Sequence, residues 1–262
     1  MTKSPMLRHA IESFEHGLEH FLDGTERSRK FALLHIDQGI ELFLKEKAVQ
    51  LGKSIYKSDG TTLNLHETFS SLKQLTLPEQ PRIEELHDLR NAIQHKGLTP
   101  DEGSTQFYVQ VAYAFVQRFL RDELATAIET ILPHQYRALM EGQAIESTVV
   151  VSTDDIEKTS PSPGERIILG YTTLVRAIES LGQPDPKTGR IRLRKTLLDT
   201  AEQNGFDRKK MDELLTAVFA ARGKVLHSDQ QATEKEAQNV LKAVRKILTV
   251  IGYGDRIPGL SA

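Results

Sequence analysis

Two stretches of the chain place an arginine five positions before a histidine: Arg90-Asn91-Ala92-Ile93-Gln94-His95 and Arg222-Gly223-Lys224-Val225-Leu226-His227. Held together, those two side chains could cleave RNA without a metal. A histidine titrating near neutrality can take or donate a proton, and an arginine can stabilise charge developing on a phosphate. The attacking group would be an RNA 2′-hydroxyl on its own 3′-phosphate, leaving a 2′,3′-cyclic phosphate. DNA lacks that hydroxyl and would survive. Each stretch is followed by a helix stop, Lys96-Gly97 with Pro100 after the first and Ser228-Asp229 after the second. Arg82 and His87 share the spacing but not this context, because the helical pattern runs on past them.

Aligned at their histidines, the two stretches superpose Ile83 on Leu215, Leu86 on Val218 and Ile93 on Val225. Arg90 and Arg222 then lie beside an apolar stripe, where a guanidinium must snorkel, pair with an acid, or face a cleft or interface. Five residues of regular helix turn the histidine roughly 140° away from the arginine. The two groups can therefore converge only where the helix ends or bends, or across an interface between two motifs.

Helical periodicity dominates the elements that must do this positioning. Residues 5–23 align Leu7, Ile11, Phe14, Leu18 and Phe21. Residues 26–57 continue with Phe31, Leu34, Ile36, Ile40, Phe43, Leu44 and Val49, long enough for more than one helix. A short helix is predicted near 65–75, another from Pro78 and Pro81 to His95, and a long one from 104 to 132. The second half predicts helices near 166–181, 190–204, 208–228 and 232–251. Between the halves, Ser160-Pro161-Ser162-Pro163-Gly164 is a strong helix breaker. The predicted fold is all-α, two antiparallel helical bundles in tandem: a domain over 1–143, a linker over 144–164 and a four-helix domain over 165–255.

Composition narrows the chemistry. The chain has no cysteine, which excludes disulfides, thiol catalysis and cysteine-ligated zinc. No apolar run approaches a membrane span and the N-terminus lacks a signal core, so a cytoplasmic protein without a membrane partner is expected. The net charge of −2 hides an asymmetry. Residues 1–150 carry 16 basic against 21 acidic side chains, residues 160–262 carry 17 against 12. The basic half could meet a polyanion. Walker, dinucleotide-binding and G-x-S-x-G patterns are absent from the sequence.

An R-x-x-x-x-H motif near the end of the third helix of a small α-bundle resembles the HEPN superfamily. In that family the residue after the arginine is often Asn, Asp or His, and Asn91 fits. The resemblance implies that Arg90, Asn91 and His95 carry the catalytic pattern. Arg222 and His227 match in the second module, while Gly223 departs from it. Gly97 and Asp229 stand where a variant of the family has tyrosine two residues after the histidine. The resemblance further implies a metal-independent endoribonuclease, needing no cofactor, of toxin–antitoxin or antiviral-defence type. Its site would form where two modules pair, within one chain or in a homodimer, with an antitoxin or defence-system partner. The same family includes inactive helical adaptors that bind RNA or protein.

Arg190, Arg192, Arg194 and Lys195, with Lys224 beyond them, are the expected RNA contacts. His9, His16 and His20 fall on one helical line. That line lies opposite the Leu7–Phe14–Leu18 face, so it reads as solvated surface and no native metal site is expected.

Overall fold

Ser4 caps the first helix by accepting the Leu7 amide at 3.0 Å, and Pro5 opens it as α1, Pro5–Asp23. Gly24, at φ +67°, ends α1, and Thr25 caps α2, Glu26–Gln50, by accepting the Ser28 amide. The two long helices form a hairpin, and Ser4 Oγ donates across it to Glu46 at 2.7 Å. Glycine allows the close crossing. A Cβ on Gly17 would meet Ile36 Cγ1 at 2.5 Å and its backbone nitrogen at 2.9 Å. One on Gly39 would meet Phe14 and Ala10 at 3.1 Å.

The computed structural model describes residues 4–138, 140, 162–181, 192–228 and 230–253. The remaining elements are α3 Leu65–Ser71, α4 Gln80–Lys96, α5 Glu102–Glu123, a 3-10 turn Ile128–Thr130, α6 Pro163–Leu181, α7 Leu193–Gln203, α8 Arg208–His227 and α9 Glu234–Val250. An isolated antiparallel bridge, Tyr56 to Thr62, is the extended pairing among the described residues. The protein is all-α. Among the described residues no helix is long and apolar enough to cross a membrane.

The chain divides into two compact units, Met1–Gln94 with Thr105–Glu146, and His95–Ser104 with Ser147–Ala262. Residues 95–104, assigned to the first domain by sequence, thus group with the second unit, and most of the predicted linker lies outside the described residues. In the first unit the core collects Leu7, Phe14 and Leu18 of α1, Leu33, Ile36, Ile40 and Leu44 of α2, Ile83 and Leu86 of α4, and Phe115 and Phe119 of α5. The stripe of α2 runs through Ala32 and Leu33 rather than the expected Phe31, Leu34 and Val49, and Val49 is exposed. A single helix covers 26–50 of the 26–57 stretch that was long enough for more than one, and α5 stops at Glu123, before a left-handed Ala125.

In the second unit α6 packs against α7, α8 and α9, and α8 packs against α7 and α9. Asp207 caps α8 by accepting the Lys210 amide at 2.8 Å. Thr233 and Glu236 form a reciprocal capping box on α9. Ile168, Leu174, Leu197, Leu215, Val218, Leu241 and Val244 are buried between these helices.

Candidate functional site

The superposition of the two motifs holds at the level of burial. Ile83, Leu86, Ile93, Leu215, Val218 and Val225 are all buried, and Arg90 and Arg222 are both half-buried beside them. What surrounds each arginine differs.

Arg90 meets an acid that the motif does not contain. Asp37, on α2, is completely buried, and its carboxylate lies against one face of α4. His87 Nδ1 is 3.2 Å from Oδ1 and 2.9 Å from Oδ2, and Arg90 Nε is 3.5 Å from Oδ2. His87 and Arg90 stand three apart on the helix, so both reach the same point. Arg90 Nη1 donates to Asn91 Oδ1 at 2.8 Å. The Asn91 hydrogen bond and the Asp37 charge orient the guanidinium while its side chain stays 27% exposed, and its buried Nε has no hydrogen-bond partner among the described residues.

Electrostatics follow from the burial. Burial pushes the Asp37 carboxyl above its ordinary value, and the His87 hydrogen bond with the charges of His87 and Arg90 opposes that, so its ionised form depends on these partners. Burial disfavours the imidazolium of His87, but the hydrogen bonds and negative charge of Asp37 override it and hold its pKa above the ordinary histidine value. Arg82, beside it on α4, is also buried and pairs with Glu85 at 2.6 Å.

His95 sits in the last turn of α4, exposed and without a hydrogen bond or ion pair to a described residue. Within the second unit it lines a cavity of about 450 Å³ together with Lys96, Leu98, Gly164, Val225 and Ser228. Lys96 Nζ donates to the carbonyls of Val225 at 3.2 Å and Ser228 at 2.7 Å, a cation on the carbonyl end of α8. Glu165 closes another wall, accepting the amides of Thr99 at 3.2 Å and Ser162 at 3.1 Å. The residues that end the first motif therefore adjoin those that end the second.

In the second motif the Arg222 guanidinium lies over the Tyr171 ring, 4.7 Å from its centroid. Gly223, in the place of Asn91, faces open space, so packing does not dictate glycine there. His227 is exposed as the last residue of α8.

Two of the five expected RNA contacts, Arg194 and Lys224, are engaged by acids. Lys224 pairs with Glu236 at 2.6 Å, and this bond, with the Thr233 cap, pulls the Glu236 carboxyl down to about 2. Arg194 pairs with Asp212 at 2.8 Å and donates to Thr216 at 2.9 Å. Arg192 and Lys195 are exposed, and Arg190 lies outside the described residues. Sequence reasoning missed Asp37 and set His87 aside. The signal was present: Asp37 interrupts the apolar series Leu33, Ile40, Leu44, and an acid at a core position needs a partner.

Two groups among the described residues have metal-ligand composition: His16 with His20 and His35, and Asp37 with Glu41 and His87. The second is already occupied by protein cations, since Arg90 approaches Asp37, His87 Nδ1 bonds it and Lys45 pairs with Glu41 at 2.6 Å. In the first group, burial and mutual repulsion with His16 lower the pKa values of His20 and His35. Comparison with models of known families, with curated proteins and with solved structures found no match.

Proposed function

We propose that the protein is a metal-independent endoribonuclease of HEPN-like type whose first motif does the chemistry. His95 takes the proton of an RNA 2′-hydroxyl, the 2′-oxygen bonds the adjacent 3′-phosphorus, and the bond to the 5′-oxygen breaks. His95 returns the proton to that leaving oxygen, so the products are a 2′,3′-cyclic phosphate and a 5′-hydroxyl. Arg90, held by Asp37 and Asn91, stabilises the extra negative charge on the phosphate. Arg222 and His227 complete a composite site or form a second, weaker one.

The observation that carries this reading is the state of His95, exposed, without a polar partner among the described residues, and lining a cavity beside the end of the second motif. An imidazole there is open to a bound substrate. A homodimer, a neutralising antitoxin or defence-system partner, and a role in growth arrest or phage defence belong to the same proposal through the family resemblance.

A second reading, a non-catalytic helical adaptor for RNA or protein, draws on the Asp37–Arg90 ion pair. That pair spends part of the arginine's charge inside the fold. Incubating purified protein with labelled RNA in EDTA separates the two. The nuclease reading expects cleavage that is lost in both Arg90→Ala and His95→Ala variants of native helicity. Binding of RNA with no cleavage by wild type favours the adaptor.

A further inference from the structure

The α1–α2 hairpin carries a cluster that RNA cleavage leaves unused. We propose that His16, His20 and His35 bind a divalent transition cation of the zinc class, which clamps α1 to α2.

The backbone brings these residues together. His16 and His20 stand one helical turn apart on α1, so they share a face. Gly17, between them, lets α1 approach α2 until Ile36 fills the space a side chain would take. His35, next to Ile36, is thereby delivered from α2 to the two histidines of α1. The ring centroids of His16 lie 4.6 Å from those of His20 and 4.5 Å from those of His35, and His20 stacks on His35 at 5.7 Å. One ligand atom from each of the three falls within 4.8 Å of the others.

Tetrahedral zinc with Zn–N near 2.0–2.1 Å separates its ligand nitrogens by about 3.3 Å. The rings must close by roughly 1.5 Å at most, a side-chain rotation that the exposed His16 permits. The donor set selects the metal class. Three imidazoles suit zinc, nickel or copper, whereas calcium and magnesium require oxygen ligands.

A second layer of contacts prepares one ligand. His16 Nδ1 lies 3.0 Å from Glu19 Oε2, so the proton placed there directs Nε2 to a cation. Tyr136 in turn donates its hydroxyl to Glu19 Oε1 at 3.0 Å. On the same line of α1, His9 is exposed and outside the cluster, whereas His20 is half-buried, so the line is not uniformly solvated surface.

The site shares no residue with the motif proposed to cut RNA, and its test is independent of cleavage. Chelator-treated full-length protein is titrated with zinc chloride by calorimetry, and with cobalt(II) by its ligand-field absorption. The proposal expects one metal per chain and a higher unfolding temperature with zinc. It expects His20→Gln and His35→Gln to weaken binding at least about tenfold, and Glu19→Gln by about 10- to 100-fold, with unchanged circular dichroism. Should a variant misfold, cobalt(II) broadening of the imidazole resonances of His16, His20 and His35 in wild type carries the same test. Absence of saturable binding, equal binding by folded His35→Gln, or broadening confined to other histidines overturns it.

Discussion

Replacing Asp37 with alanine removes the carboxylate that His87 and Arg90 share inside the first unit. Breaking a buried ionic pair from one side removes about 3–5 kcal/mol, because the remaining charge is left without compensation. Here the lower end applies. Arg90, 27% exposed, can turn toward water, and His87 can release its proton, so each survivor has an escape. A loss of about 3 kcal/mol is a large part of a stability that is typically about 5–15 kcal/mol. At about 2–4 °C per kcal/mol for a chain of this size, the unfolding midpoint of the full-length protein should fall by about 6–12 °C. Thermal unfolding followed by circular dichroism measures this directly. Combining Asp37→Ala with His87→Gln isolates the pair, with an expected coupling above about 1 kcal/mol. A shift within about 2 °C of wild type, or strictly additive losses, would refute the claim that this network holds α2 to α4.

The raised pKa of His87 carries its own signature. The folded state holds that proton more tightly than the unfolded chain, so the stabilisation is complete below the ordinary histidine value near 6.5. It is lost as pH rises through the raised value. The stability difference between wild type and His87→Gln should therefore shrink on going from about pH 6 to about pH 9, and a difference that grows would contradict the assignment. Two glycine-to-alanine changes should act in opposite directions. Gly17→Ala forces a methyl group onto Ile36, including its backbone, and should destabilise by about 1–3 kcal/mol. Gly223→Ala, a helix-interior position in open space, should stabilise by about 0.5–1 kcal/mol. Thr233→Ala removes the capping box of α9 and should lower stability by about 1 kcal/mol, read as a lower urea midpoint.

The helices were legible because apolar spacing, caps and breakers agree along most of the chain. In the second unit the predicted 208–228 and 232–251 became Arg208–His227 and Glu234–Val250. The first unit was less transparent at α2, where apolar residues occur on several faces and periodicity alone does not choose between Leu33 and Leu34. Pairings between distant residues were the part that local pattern could not supply. Asp37 and His87 lie 50 positions apart, and nothing in the spacing of Arg90 and His95 points to them. His35 reaches His16 and His20 only because two glycines let the helices touch, a packing effect visible once the hairpin is built. The basic run was readable as charge but not as paired charge, since the acids that meet Arg194 and Lys224 come from neighbouring helices.

The proposed chemistry depends on one atom of the substrate, the 2′-oxygen next to the broken bond. The most direct measurement compares an RNA oligonucleotide with the same sequence carrying 2′-O-methyl groups throughout, both incubated with wild type and His95→Ala in EDTA. The account expects wild type to cut the RNA into fragments ending in 2′,3′-cyclic phosphate, and to leave the methylated strand intact. It expects His95→Ala to cut neither. Cleavage of the methylated strand, or undiminished cleavage by His95→Ala, would contradict it.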